Sequence, residues 1–190
     1  MADPIGTVIS SIGKSLVEVL KVKAGFLEGD IVLKSPAEAA TAAKVSLFLY
    51  QVQENIHFRN REMEALGEGA LKPLPLTLDL FYLVTPLAPE IEMALGHLES
   101  VMLSFYDQPV LKPPFLTPAL VAAGNEAVRI TSNPIPLEET SKLWGMFPDK
   151  SYRLSATYLL SPVHVPSTRV IPVTRVAEKV TRFSRIGETG

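Results

Sequence analysis

The segment Pro73-Leu-Pro-Leu-Thr-Leu-Asp-Leu-Phe-Tyr-Leu-Val84 decides the fold class of this chain. Its alternation gives an extended backbone two different sides: Leu76, Leu78, Leu80, Tyr82 and Val84 on one, and Thr77, Asp79, Phe81 and Leu83 on the other. Nearly every position is apolar or favours strands, which is typical of a central strand covered on both faces. A helical pattern follows from near Pro86, so a helix must fold back over this strand. The segment therefore predicts an α/β domain.

Other strand and helix patterns surround this segment. The predicted strands are residues 30–33, 45–53, 126–131 and 152–161. The predicted helices begin at Asp3-Pro4, around Pro89 and at Pro136, and the first of them ends near Gly25. In the strand at 45–53, alternation places Val45, Leu47, Leu49 and Gln51 on one face. This order predicts a mixed α/β architecture with about three helices.

Each predicted helix has an apolar face that we expect to pack on the sheet. These faces are Ile5, Val8, Ile9, Ile12, Leu16 and Leu20 in the first helix, Ile91, Leu95, Leu98, Val101, Met102 and Phe105 in the second, and Leu143, Trp144 and Phe147 at the third. For the first helix, a surface that docks a partner or a membrane is the alternative that the pattern leaves open.

Two segments stand outside this alternation of strands and helices. Residues 54–69 are mostly polar and charged, which predicts a long exposed excursion between two strands. A helical turn around Met63 within this excursion is an alternative that the sequence leaves open. Residues 169–190 carry five bases and two acids, a local charge of +3 in a chain of net charge −2. Because β-branched residues dominate this tail, it predicts an extended arm. We therefore expect an α/β domain over residues 1–167 and an extended basic C-terminal arm over residues 168–190.

Composition limits the class of protein. A chain of 190 residues, 47% hydrophobic and 20% charged, can bury the core of one domain. The net charge of −2 provides no general attraction to nucleic acid or to an anionic membrane. No run of about 18 apolar residues occurs, and no secretory leader pattern opens the chain. We therefore expect a cytoplasmic protein without a membrane span. The absence of cysteine excludes disulfides and thiolate sites.

Catalytic and ligand-binding signatures are missing from the sequence. The three histidines, His57, His97 and His164, have no spacing that is typical of metal ligands. No glycine-rich phosphate loop or nucleophile elbow is present. Asp79 lies inside the central strand, where a carboxylate needs hydrogen-bond partners or marks an active site. The simpler interpretation is a carboxylate bonded to an arginine or to the backbone, or one exposed at a subunit contact, because one carboxylate supplies no acid–base pair. The sequence predicts no catalytic residue, no cofactor and no metal.

Several stretches in this order resemble a known family. They are Ile5–Leu20 with Gly13-Lys-Ser-Leu16, Leu47-Phe-Leu-Tyr50 followed by Glu54-Asn55 and Arg59-Asn60, Pro75–Val84, Arg129-Ile-Thr131 before Leu137–Trp144, and Tyr152–Tyr158 leading to Ser161-Pro-Val163. The succession resembles the N-terminal domain of cap, or tail-terminator, proteins of phage-tail-like contractile injection systems. The resemblance implies a mixed sheet flanked by helices, similar to phage tail terminators. It also implies a structural protein, with no enzymatic activity, that assembles as a hexameric ring and closes the distal end of the tube and sheath.

A ring of identical subunits needs two different contact surfaces on each subunit. We expect these surfaces in the 54–69 excursion and in the arm, which the residues themselves suggest rather than any family motif. The candidate interface residues are Arg59, Arg61, Glu62, Arg169, Arg175, Lys179, Arg182 and Arg185. A phage-type tail completion or connector protein is one alternative. A small-ligand or enzymatic domain that uses Asp79 and His97 is another, and it requires a deep pocket with convergent polar groups.

Overall fold

A computed structural model of the chain describes residues 8–40, 42–59, 64–65, 70–147, 151–169 and 171–172. In this part of the chain the helices are α1 (Val8–Ala24), α2 (Ile91–Asp107), α3 (Pro118–Ala122) and α4 (Leu137–Trp144). The strands are β1 (Ile31–Val32), β2 (Val45–Glu54), β3 (Glu64–Ala65), β4 (Ala70–Lys72), β5 (Leu76–Pro86), β6 (Val110–Leu111), β7 (Val128–Ser132), β8 (Ala156–Val165) and β9 (Ile171–Pro172). A short 3-10 turn, Ile56–Phe58, follows β2.

Strand β5 lies inside a six-stranded sheet of order β1-β2-β5-β8-β7-β6. Strand β1 pairs with β2 in parallel, and the other neighbours are antiparallel, so the sheet is mixed as predicted. Strands β3, β4 and β9 form a separate antiparallel sheet. The predictions of a mixed sheet and of a central strand at Leu76–Val84 are confirmed.

Helices cover both faces of β5. On one face Leu80 and Val84 join a core that includes α1, α2 and α3, in which Leu16 and Leu20 of α1 are fully buried. On the other face Leu83 packs with three residues of α4 and the turn after it, Leu143, Trp144 and Phe147. The inward orientation of these three residues was predicted from the sequence and is confirmed. Their burial gives the sheet a second, smaller core.

Two β-bulges alter the predicted faces. In β2, Leu49 lies opposite Tyr82 and Gln51 lies opposite Phe81, so Tyr50 is an extra residue. The prediction that Gln51 shares a face with Leu47 is therefore wrong, because an inserted residue reverses the alternation that follows it. In β8 the two residues Ser161 and Pro162 stand against one residue of β5.

Three other predictions need correction. Strand β8 begins at Ala156 rather than residue 152, and Tyr152 instead places its ring 5.7 Å from that of Trp144. The segment after β6 contains a helix that the sequence did not predict, α3, whose N-terminus is capped by the side chain of Thr117. The outer half of the predicted α2 face is exposed: Ile91 is 67%, Leu95 45% and Met102 46% accessible.

Helix α1 ends where the sequence predicts. Gly25 ends this helix with a positive φ of 70°, as predicted, and its N–H group donates to the carbonyl of Lys21. The predicted start at Asp3-Pro4, Ile5 and the optional turn around Met63 lie outside the described residues. None of the helices in the described part of the chain is long and apolar enough to cross a membrane.

Candidate assembly surfaces

The small sheet β3-β4-β9 joins the two segments that the sequence singled out. Strand β4 pairs on one side with β3, from the 54–69 excursion, in the register Ala65 opposite Leu71. On its other side it pairs with β9, from the start of the tail, with Leu71 opposite Ile171. Strand β3 of the excursion and strand β9 of the tail therefore flank β4 in one sheet. The rest of the predicted arm, from residue 173 onward, lies outside the described residues.

Two of the predicted interface residues can be placed. The Arg59 side chain is 69% exposed, and its Nε lies 3.8 Å from Oε1 of Glu54. Arg169 is also exposed, and its backbone N–H donates to Oγ of Ser167 at 3.3 Å. An exposed ion pair of this length adds little to stability, so Arg59 is available for another contact. The remaining candidates are outside the described residues: Arg61, Glu62, Arg175, Lys179, Arg182 and Arg185.

Asp79 is held by two neutral donors. Its Oδ1 accepts a hydrogen bond from Nδ2 of Asn55 at 2.9 Å and another from Oγ of Ser161 at 2.5 Å. Asn55 in turn caps the 3-10 turn by accepting from the N–H of His57. The simpler interpretation of Asp79 as a satisfied carboxylate therefore fits, although its partners are an amide and a hydroxyl rather than an arginine or the backbone. The bond to Asn55 fixes the start of the 54–69 excursion to the centre of the sheet.

A second polar group ties β8 to the loop after α3. The buried Asn125 side chain accepts from the N–H of His164 at 2.7 Å and donates to the carbonyl of the same residue at 2.9 Å. Nδ1 of His164 lies 3.0 Å from Oγ1 of Thr77, and the Phe58 ring lies beside the imidazole at 5.8 Å. Phe58, Thr77 and His164 border a pocket of about 630 Å³ that also includes Glu126. Neither Asp79 nor His97, the pair that the enzymatic alternative would need, lines this pocket.

The three histidines lie in three different environments. His57 is exposed, and His164 is in β8. His97 in α2 places its ring 5.9 Å from that of Phe26, and its buried Nδ1 has no hydrogen-bond partner among the residues that the structure describes. Burial lowers the pKa of His97, the charge of Lys44 lowers it further, and Asp30 opposes the shift. Within the described ranges no group of His, Asp and Glu side chains could hold a metal ion.

The outer side of α2 is an apolar surface, and two of its residues, Leu95 and Met102, were predicted to face the core. Leu103 is 57% and Tyr106 82% exposed, and with Leu95 and Met102 they border a groove of about 920 Å³. The opposite wall of this groove includes Pro109 and, in β7, Ile130. The sequence does contain a signal for it: apolar residues occupy more of the α2 circumference than one sheet face can bury.

Comparison with solved structures shows where this fold occurs. The fold is similar to that of the sheath/tube terminator, in its extended state, of an extracellular contractile injection system named PVC, with a TM-score of 0.65 and 19% identity. It is also similar to the tube-terminating cap of the anti-feeding prophage, with a TM-score of 0.55 and 15% identity. Each match covers 94% of this chain, which spans 65% of the first protein and 60% of the second.

Comparison with sequences identifies the family. A search of the curated proteins found no match. The family model described as the Pvc16 N-terminal domain, in contrast, matches residues 10–179, which include both sheets. The chain therefore belongs to the Pvc16 N-terminal domain family.

Proposed function

We propose that this protein is a structural terminator, which closes the distal end of the tube and sheath of a contractile injection system. The observation that carries the proposal is the family match over residues 10–179. The similarity of the fold to a sheath/tube terminator and to a tube-terminating cap supports it. In this role the partners of the protein are the tube and sheath subunits, and the protein works inside the assembled particle, which forms in the cytoplasm.

The proposed working form is a hexameric ring. Contacts between identical subunits in a ring are head-to-tail, so one surface of each subunit meets a different surface of the next. The joined surface of β3, β4 and β9 is one candidate, because it brings together the excursion and the tail. Arg59 and Arg169 are the described residues that we assign to this contact. Arg61, Glu62, Arg175, Lys179, Arg182 and Arg185 remain assigned to it from the sequence.

The role proposed here is mechanical rather than enzymatic. Asp79, the one charged side chain of the central strand, is engaged by Asn55 and Ser161. Its position away from the 630 Å³ pocket gives it no substrate site there. The geometry therefore supports a carboxylate that organises the sheet and the excursion.

The experiment that tests the function combines mass and imaging. The purified full chain is measured by light scattering, and it is imaged by electron microscopy with and without purified tube and sheath proteins. We expect rings of six subunits, and we expect them at one end of the tube. Persistent monomers that never bind a tube end would contradict the proposal. An exposed charge reversal in α4, Lys142→Glu, serves as control for Arg169→Glu, which we expect to reduce ring formation.

A further inference from the structure

The groove beside α2 is accessible and apolar in the single subunit. We call it the α2 groove and define it by Leu95, Met102, Leu103, Tyr106, Pro109 and Ile130. Its volume of about 920 Å³ is bordered by residues such as Leu103 and Tyr106, whose side chains are mostly exposed. Contiguous apolar surface of this kind in a soluble domain marks a binding site more often than an accident of packing. An occupant must therefore supply apolar side chains.

The charge around the α2 groove restricts the occupant further. The charged residues of α2 are Glu92, Glu99 and Asp107, and the helix contains no lysine or arginine. Glu99 lies on the wall of the groove. A second α2 helix is a poor occupant, because it would bring three acids against three acids. The groove is thus suited to a segment that is apolar and basic.

Residues 173–185 of the same chain have this composition. Its larger apolar residues are Val173, Val176, Val180 and Phe183. Its four bases are Arg175, Lys179, Arg182 and Arg185. Glu178 is the one acid, so the segment has a charge of +3. Thirteen residues of extended chain span roughly 40 Å, which is enough to leave one small domain and reach the next. Apolar content and charge both complement the α2 groove.

We infer that the α2 groove of one subunit binds residues 173–185 of a neighbouring copy. This inference rests on the proposed ring, because the donor is another subunit. It gives the ring the two unlike surfaces that head-to-tail contacts require, a groove and a segment that fills it. Strand β9 pairs with β4 of its own subunit and so fixes the point from which the segment departs. The bases of the segment meet the acids of α2, and its valines and Phe183 cover Leu103 and Tyr106.

Disulfide cross-linking tests this arrangement, because the natural chain contains no cysteine. Two full-length variants are made, Leu103→Cys in the groove and Val180→Cys in the segment, and they are mixed and oxidised. A disulfide requires two Cα atoms within about 7 Å, so a link from position 103 of one chain to position 180 of another reports binding in the groove. The matched control is Val22→Cys, an apolar α1 residue that is 61% exposed, mixed with Val180→Cys.

We expect the link between chains in the first mixture and a loss of that link in the control mixture. Adding Glu99→Lys to the groove variant should reduce the link, whereas Glu126→Lys, an exposed acid outside the α2 groove, should not. The absence of a link between chains in the first mixture would overturn the inference. So would equal linkage in the two mixtures.

The same samples separate this inference from the proposed function. The mass of each mixture before oxidation and its binding to tube ends are measured alongside the cross-link. Rings that decorate tube ends without the link between positions 103 and 180 would overturn the α2 groove contact and leave the terminator role standing. Samples that form no ring and bind no tube end would overturn the terminator role itself.

Discussion

Asp79 illustrates at the residue scale how one carboxylate holds two distant parts of the chain. Its partners Asn55 and Ser161 come from the start of the excursion and from the bulge in β8. Hydrogen bonds to a charged group contribute about 1.5–3 kcal/mol each, and a buried donor left without its acceptor costs more than the bond itself. Because Asp79 and Ser161 are only half-buried, water replaces part of what is lost, and we expect Asp79→Ala to lower the free energy of unfolding by about 2–3 kcal/mol. Urea denaturation measures this change.

Asp79→Asn is the matched variant for this prediction. Its side-chain oxygen can still accept from Asn55 and Ser161, so we expect a smaller loss, of about 1 kcal/mol. Ring formation should persist in both variants at a temperature where they remain folded. An unfolding free energy unchanged by Asp79→Ala would show that the observed hydrogen bonds do not stabilise the fold. A ligand-binding activity that disappears with Asp79→Ala would favour the small-ligand alternative.

His97 gives a pH dependence with a definite sign. Burial and Lys44 lower its pKa from the usual 6.5, so the folded chain resists protonation that the unfolded chain accepts. The contribution of His97 to the free energy of unfolding is therefore complete above about pH 6.5. It declines as the pH falls from there to the lower pKa of His97 in the folded chain. We expect the melting temperature of His97→Leu to fall less than that of the natural chain between about pH 7.5 and 5.5.

The control for this prediction is the same titration on His57→Gln, since His57 is exposed. Its melting curves should follow those of the natural chain. The pKa of Asp30 is also lowered, mainly by the Leu27 N–H and with help from Lys44, but this carboxylate loses its contribution only as the pH falls through its own acidic range. Equal pH slopes for the natural chain and His97→Leu would contradict the prediction.

At the scale of elements, the sequence was most informative where local pattern and burial agree. Leu80 and Val84 were assigned to one face of a central strand, and both are fully buried. Leu95 and Met102 show the limit of such patterns. Helical spacing identifies an apolar stripe, but it does not say how much of the stripe the sheet can cover, and α2 is apolar over more than that width. The extra residue Tyr50 in β2 likewise has no local signal, because a bulge depends on the register with the neighbouring strand.

Helix α4 provides the test of the second core. Trp144 is 4% exposed, and its ring packs edge-on against Phe147 at 5.4 Å. Removing a buried aromatic side chain costs about 3–5 kcal/mol, and we expect a loss near the lower end for Trp144→Ala. Met146→Ala is the neighbouring control, because Met146 is 62% exposed. It should change the unfolding free energy by less than about 0.5 kcal/mol. Similar losses in the two variants would show that α4 is not anchored through Trp144.

At the scale of the whole molecule, the sequence was sufficient to predict the fold class, the central strand and the family. It did not predict that the 54–69 excursion and the tail would pair in one sheet. Residues 54–69 and the tail were predicted as separate surfaces. The structure pairs Leu71 with Ile171, one hundred positions apart, through strands of two or three residues. Strands of two or three residues are too short to show an alternation of apolar and polar side chains. Their pairing depends on where the larger sheet places the chain segments that contain them. The α2 groove was missed for a related reason, since exposure is a property of the assembled domain.

Truncation separates the parts of this molecule that fold from those that assemble. The residues of the main core all precede Pro166, and β9 adds only two residue pairs to β4, so we expect a chain ending at Ser167 to remain folded. Its loss of unfolding free energy should be no more than about 2 kcal/mol, which corresponds to the two paired residues. A chain ending at Pro172 keeps β9 and should lose even less.

Both truncated chains should fail to form stable rings, because both lack residues 173–185. Light scattering at equal concentrations measures this. Normal rings from the chain ending at Pro172 would place the contact between subunits elsewhere. Rings from that chain but not from the chain ending at Ser167 would assign the contact to the surface that β9 completes.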